Sequence, residues 1–260
     1  MPDGNQLDRA AVAAVGISPA AVRFTADVRV RDVMIGTPMY GGLCHDGYLH
    51  GMLSTARALA ERSIGFSYAT IRNESLVQRA RNNIVAQFLA SQSSHLVFVD
   101  ADIGFTGESI LRLIAHDRPI MCGLYRKKTL GEPSFAVNLI PSPDGTARRD
   151  PRTGAIRVQH AGTGFMCIQR GVLEAMWALN PHLRYELHDG EGQPGAWRGY
   201  TFACFDCFID PRTRKYLSED YGFCQRANQA GFEIWIDPGI VLEHCGTAAF
   251  VGDPMEVFGP

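Results

Sequence analysis

Between Asp32 and Leu124, short apolar runs alternate with longer helical stretches, and this alternation constrains the fold more than any single residue. Val33-Met34-Ile35-Gly36 reads as a buried strand, closed by Thr37-Pro38-Met39-Tyr40-Gly41-Gly42. The pattern predicts a helix over about Gly47–Arg62, a strand over Gly65–Ile71 and a second helix from about Ser75 to Ser91. Leu96-Val97-Phe98-Val99 is another buried strand. Thr106 caps a helix to about His116, with Glu108 favourably placed in its first turn. Ile120–Leu124 is a further strand. Strands separated by helices of this length imply βαβ units. The expected class is α/β, with a mostly parallel, Rossmann-type central sheet flanked by helices.

The second half changes character. Ser134–Ile140, a turn at Pro141–Gly145, and Ala155–His160 read as a hairpin. Gly162-Thr163-Gly164 leads into a strand at Phe165–Ile168 and a helix to about Leu179. Residues 180–217 are rich in Gly, Pro and aromatics with weak periodicity, which suits a functional loop or lid. Ser218 caps the last long helix, Gly231 ends it, and Phe232–Ile236 is a final strand. Residues 1–30 are Ala-rich and read as a peripheral arm or short helix.

Composition removes several function classes. The 25 basic and 27 acidic residues leave a net charge of −2, so no overall basic field advertises nucleic acid. Seven cysteines at irregular spacing make a poor disulfide framework and suit a reducing compartment. Cys204 and Cys207 form a lone CxxC with no second pair to complete a zinc site. Asp3 and Asp8 ahead of Ala10–Val15 argue against a signal peptide. No run approaches the roughly 18 apolar residues of a membrane span. The expectation is a cytoplasmic chain.

Asp100-Ala101-Asp102 carries the strongest chemical signal. Two carboxylates two residues apart, just past a buried strand, can point the same way into the crevice where open α/β sheets gather ligands. Such hard oxygen ligands suit Mg²⁺ or Mn²⁺ shared with a diphosphate. The plain structural alternative is a strand-end pair capping the following turn. Arg81 is the second signal. Val77, Ala80, Ile84, Val85 and Phe88 form one apolar stripe at helical spacing, and Arg81 falls near its middle, whereas Arg79 and Asn82 fall outside. A buried guanidinium must be paired, either to a core carboxylate such as Asp100, or to a ligand phosphate, or to both. Glu219 and Asp220 open the last helix, where they oppose its dipole, and either could serve as a general base if it faces a cleft. His244 follows an apolar pair and is a structural histidine or a third metal ligand.

Taken together, Arg81-Asn82, Asp100–Phe105, Gly162-Thr163-Gly164-Phe165 and Ser218–Tyr221 resemble nucleotide-sugar-dependent glycosyltransferases of the A-type (GT-A) fold. Within that fold they are similar to a bacterial and phage subset related to the large inverting family and to Anp1-type mannosyltransferases. The resemblance spans about residues 32–248. It implies one GT-A-like catalytic domain over residues 31–260. About 31–125 would form the donor-nucleotide half, and 126–260 a smaller hairpin and loop acceptor side with a lid. It further implies that Thr37, Pro38, Met39 and Tyr40 cradle the base and ribose of a UDP- or GDP-sugar, with Asp100, Ala101 and Arg81 at the donor. Asp102 would hold Mn²⁺ (or Mg²⁺), Asp100 ribose or a metal-bound water, and His244 the same metal. Gly162, Thr163 and Gly164 would lie beneath the donor sugar and acceptor, and Asp220, with Glu219 beside it, would supply the base.

Trp197 in the lid offers an aromatic face for an acceptor sugar, and Tyr200, Phe202 and Phe205 either join it or belong to the core. Tyr125-Arg126-Lys127-Lys128 reaches donor phosphate or acceptor, or is an exposed basic loop. The acceptor is expected to be a carbohydrate or another hydroxyl compound, with nucleic acid entering only as a modified acceptor. Two other readings compete. A sugar or cofactor nucleotidyltransferase would want a basic residue soon after the first strand, yet Gly41-Gly42 is followed by Leu43, Cys44, His45 and Asp46. A silent nucleotide- or carbohydrate-binding module would have no need of Glu219, Asp220 and His244 together.

Overall fold

The computed structural model describes residues 30–129, 131–140, 146–187, 196–246 and 249–259. The N-terminal arm up to residue 29, the turn at Pro141–Gly145 and the stretch 188–195 of the expected lid lie outside the described residues.

The first half forms β1 (Asp32–Met39), α1 (Asp46–Ala60), β2 (Gly65–Arg72), α2 (Val77–Ala90), β3 (His95–Val99), β4 (Ile103–Gly104), α3 (Gly107–Ala115) and β5 (Ile120–Gly123). The second half adds β6 (Val137–Leu139), β7 (Ile156–Ala161), β8 (Phe165–Gln169), α4 (Arg170–Leu179), β9 (Phe208–Ile209) and β10 (Tyr216–Leu217). It closes with α5 (Glu219–Gln229), β11 (Ile234–Asp237), β12 (Leu242–Cys245), β13 (Ala249–Gly252) and α6 (Pro254–Phe258).

An eight-stranded sheet runs in the order β2-β1-β3-β8-β5-β11-β7-β6. It is mixed. β1, β2, β3, β5, β6 and β11 point one way, while β7 and β8 oppose them. The chain leaves β5 for the β6–β7 hairpin and re-enters between β3 and β5 as β8, so its neighbours on both sides are antiparallel. Nothing in the apolar run Phe165–Ile168 carries strand direction, which is why the sequence predicts the strand but not its sense.

Period-two alternation divides the core between the two faces. Met34, Leu96 and Phe98 face α2 and α5, packed with Ile84, Val85, Phe88, Phe205 and Phe223. Val33, Ile35, Val97 and Val99 face α1 and α3, packed with Leu59, Ile110, Ile114 and Phe165. A sheet buried on both faces explains why these strands read as unbroken apolar runs. Gly36 interrupts one run because α2 crosses close above it: a Cβ there would lie 2.5 Å from Ile84 Cγ2.

The described residues of segment 180–217 have little regular structure, as its weak periodicity predicts, yet they are anchored. Phe202 and Phe205 are fully buried, and Phe205 stacks on Phe223 at 4.4 Å and meets Phe98 edge-on at 5.3 Å. Ser218 stands at the N-cap of α5, but its hydroxyl donates to the Asp220 carboxylate and accepts from no helix N–H, so it fixes a side chain without capping the helix.

Candidate active-site cleft

A cleft of 590 Å³ opens beyond the carboxyl ends of β1 and β3, where this class of sheet places its ligands. Pro38, Met39 and Tyr40 line one wall, Ile71, Glu74, Val77 and Ala80 another, and Asp100, Ala101 and Asp102 the floor. Thr37 turns the other way: it is buried and hydrogen-bonds the Tyr48 hydroxyl at 2.7 Å, and it does not line the cleft.

The Asp-Ala-Asp turn is held by its own backbone. Asp100 N–H donates to Gly164 O at 2.9 Å, Ala101 O accepts from His45 N–H at 2.9 Å, and Asp102 O accepts from Cys245 N–H at 2.8 Å. The starts of α1 and β8 and the end of β12 thus converge on three consecutive residues. A site fixed by rigid elements in this way can present carboxylates in one geometry.

Asp102 faces two groups. Lys128 Nζ lies 2.5 Å from Asp102 Oδ2, and His244 Nε2 lies 3.6 Å from the same oxygen. Burial works against ionising this carboxyl, but His244 and Lys128 outweigh it and hold it down at about 2. His244 Nδ1 donates to Arg126 O at 2.7 Å, which leaves Nε2 as the ring nitrogen that faces Asp102. A metal-ligating imidazole is usually oriented by such a bond on its other nitrogen. Among the described residues, no group of three or more His, Cys, Asp or Glu side chains is placed to hold a metal ion. Asp102 and His244 therefore fit only an ion that completes its shell with ligand oxygens and water, which is how Mg²⁺ and Mn²⁺ share phosphate sites.

Asp100 looks inward. Arg81 Nη2 donates to its Oδ2 at 3.0 Å, and Nη1 lies 2.9 Å from Oδ1. Arg81 Nε faces Glu219 Oε1 at 3.7 Å, and the guanidinium carbon sits 5.5 Å from the Phe98 ring centre. The Arg81 side chain is only 4% exposed, so the charge expected at the centre of the apolar stripe is buried and paired. Burial opposes its ionisation, and Asp100 and then Glu219 more than restore it. With Asp100 spent on Arg81, Asp102 is the carboxylate left to face the cleft cations.

Glu219 and Asp220 diverge in environment. Burial raises the Glu219 carboxyl above its ordinary range, Arg81 pulls it back and Asp220 adds to the rise. Asp220 Oδ1 accepts from the Ser218 hydroxyl and from Tyr221 N–H at 2.7 Å, which orients its carboxylate. Tyr125 joins these groups from beneath. Its buried phenol is raised by burial first and then by Asp100, with a smaller contribution from Asp220, and its oxygen accepts from Gly164 N–H at 3.1 Å. Gly164 must be glycine: a Cβ would meet Tyr125 at 2.8 Å and Asp100 Oδ2 at 2.9 Å. Gly162 and Thr163 are buried in the same turn.

Trp197 stands elsewhere. It lines a second cleft of 890 Å³ with Arg72, Asn73, Asn83 and Gln87, which shares Ile71 and Glu74 with the first.

Two anchors escape the periodicity of α2. Asn82 is 3% exposed, contrary to the stripe pattern, because segment 203–206 covers a second side of the helix. Its Oδ1 accepts from Phe205 N–H at 2.9 Å. Asn83 Oδ1 accepts from the Tyr185 hydroxyl at 3.1 Å. Of the basic loop 125–128, Lys128 reaches Asp102 while Tyr125 packs partly buried against the core, a split that adjacency in sequence hides.

No protein-family model matches the chain, and no curated protein matches it. Among solved structures, A197 from STIV is similar with a TM-score of 0.47 and 14% identity, over 83% of this chain and 86% of that one. GalNAc-T7, crystallised with UDP, GalNAc and Mn²⁺, gives 0.43 and 14% over 85% of this chain and 44% of that one. A glycosyltransferase involved in glycosylating the major capsid of PBCV-1 gives 0.33 and 10% over 80% and 92%.

Proposed function

We propose that this chain transfers a sugar from a nucleoside-diphosphate sugar to an acceptor hydroxyl. The observation that carries this reading is the convergence on one cleft of Asp102, His244 and Lys128 with Asp100, Arg81 and Glu219. Cationic groups and a candidate cation site stand where a diphosphate leaving group needs charge neutralisation. Carboxylates at the start of α5 stand within reach of the same floor. The motif order resembling GT-A glycosyltransferases supports the reading independently of these contacts.

In this reading Pro38, Met39 and Tyr40 hold the base and ribose. Asp102 and His244 would bind Mn²⁺ or Mg²⁺, which as a Lewis acid stabilises the departing diphosphate. In this reading Asp100 is the partner of Arg81, and their ion pair fixes the floor. Asp220, oriented by Ser218 and the Tyr221 amide, accepts the acceptor's proton, while Glu219 holds Arg81 from the other side. Trp197 offers a stacking face for more distant sugar units along the second cleft.

Thermal unfolding with UDP, GDP and other nucleotides, with and without Mn²⁺, tests the donor site. A diphosphate at about 100 times its Kd should add about 2.7 kcal/mol, or roughly 5–11 °C for a chain of this size. No shift with any nucleotide at any metal concentration would sink the donor-binding reading. Asp220→Asn should lower transfer by about 10²- to 10⁴-fold while nucleotide binding persists. A fully active variant removes Asp220 as the base.

A further inference from the structure

Lys128 makes a contact with Asp102 that a simple metal site does not call for. Its ammonium lies at hydrogen-bonding distance, 2.5 Å, from the Asp102 oxygen that His244 Nε2 also faces. The segment that delivers it is a formed turn. Lys127 N–H donates to Ser134 O at 2.8 Å, Thr129 N–H donates to Lys127 O at 2.8 Å, and Arg126 Nη2 donates to Gly131 O at 2.6 Å. The Lys128 side chain is about one-third exposed, so it can turn without disturbing the core.

An ammonium bonded to that oxygen and a divalent ion bonded to it exclude each other. They compete for the same lone pairs, and two like charges a few ångströms apart repel strongly in a partly buried site. Lysine suits a place that must be vacated, because its charge is a compact point on a flexible four-carbon stem, with no planar fork to commit.

We propose that Lys128 is a resident counter-cation for Asp102, which a divalent ion displaces, and that the displaced ammonium turns onto the donor's diphosphate. The second half rests on the nucleotide-sugar reading above; the first does not. Without nucleotide, the ion must evict Lys128 into water and binds weakly. With a diphosphate present, the evicted ammonium gains an anionic partner, so ion and nucleotide bind with positive coupling. That coupling is reciprocal. Lys128 then contributes a positive charge to the leaving group beside the metal, and it restores a neutral pair with Asp102 when product and ion depart.

Mn²⁺ binding to the whole chain, followed by the electron paramagnetic resonance of free Mn²⁺, tests this directly. The proteins compared are wild type, Lys128→Met and Lys128→Arg, each without nucleotide and then with UDP or GDP. Lys128→Met should bind Mn²⁺ at least tenfold more tightly than wild type without nucleotide. Its coupling between Mn²⁺ and the diphosphate should shrink by a comparable factor, and Lys128→Arg should keep the weak Mn²⁺ binding of wild type. Equal Mn²⁺ affinity in wild type and Lys128→Met overturns the counter-cation. A tenfold gain with undiminished coupling overturns the turn onto diphosphate. A tenfold gain in proteins that bind neither UDP nor GDP rejects the nucleotide reading and the second half with it, and leaves the counter-cation in place.

Discussion

Arg81 sets the local electrostatics, because one buried guanidinium separates two carboxylates that would otherwise face each other. Arg81→Met should therefore cost more than its packing. Breaking a buried pair by removing one partner typically costs about 3–5 kcal/mol, and here Asp100 and Glu219 are both left behind. Urea unfolding of Arg81→Met, Asp100→Asn and the double variant should show strong non-additivity, with the double variant recovering part of the loss. Additive losses would show that the pair is energetically idle. Glu219 gives a second test with a definite sign. Its folded carboxyl titrates above the ordinary value of 4.5, so its ionisation opposes folding. Its favourable contribution is complete below the unfolded value and disappears as pH rises through the folded one. The stability of Glu219→Gln relative to wild type should accordingly improve as pH climbs from about 4 toward neutrality; a gap that moves the other way rejects the raised carboxyl. Arg81 was legible in the sequence because a charge in the middle of an apolar helical stripe demands a partner, and Asp100 was the nearest strand-end candidate. Lys128 was not legible as that kind of partner. It meets Asp102 across 26 residues of chain, from a loop whose periodicity carries no direction.

At the scale of elements, α2 does more than cover the sheet. Its consecutive residues Arg81, Asn82 and Asn83 point to three different partners: the Asp100 turn, the Phe205 backbone and the Tyr185 hydroxyl. The helix thus ties the cleft floor to the segment after α4. Asn82→Ala would leave the buried Phe205 amide without its acceptor, at a cost of about 1–3 kcal/mol. The loss should be local, and amide hydrogen exchange should rise at residues 203–206 before it rises in β3; unchanged protection there would show that Asn82 is not the anchor. Gly36→Ala probes the other side of the same helix. The new methyl would strike Ile84, and overpacking of this kind costs about 1–3 kcal/mol. These helices and strands were readable because both periods are strong through residues 32–124. The short strands β4, β12 and β13 were not, since each is a brief pairing created by neighbours brought together in space. Nor was the burial of Asn82, because hydrophobic periodicity describes one covered face and α2 has two.

At the scale of the whole molecule, the eight-stranded central sheet runs in an order that does not follow the chain. β8 enters between β3 and β5, and β11 pairs with β5, so strands from the second half hold strands from the first. A donor half over about 31–125 and an acceptor half over 126–260 would differ in what they bind while sharing one set of backbone hydrogen bonds. That sharing has a measurable consequence. The three tryptophans, Trp177, Trp197 and Trp235, all lie in the second half, and Trp235 is buried in β11. The cleft is lined from Pro38 to Asp102, Lys128 and His244 reach its Asp102 from the second half, and none of the tryptophans lines it. A nucleotide bound there touches none of the tryptophans themselves, yet two-state unfolding requires every probe to move together. Nucleotide and Mn²⁺ should therefore raise the tryptophan-fluorescence midpoint by the same number of degrees as the far-ultraviolet dichroism midpoint. If dichroism splits into two steps and the tryptophan transition stays where it was, the halves unfold independently. In that case β8 is a seam between them, and the cleft's geometry cannot depend on the acceptor side being folded.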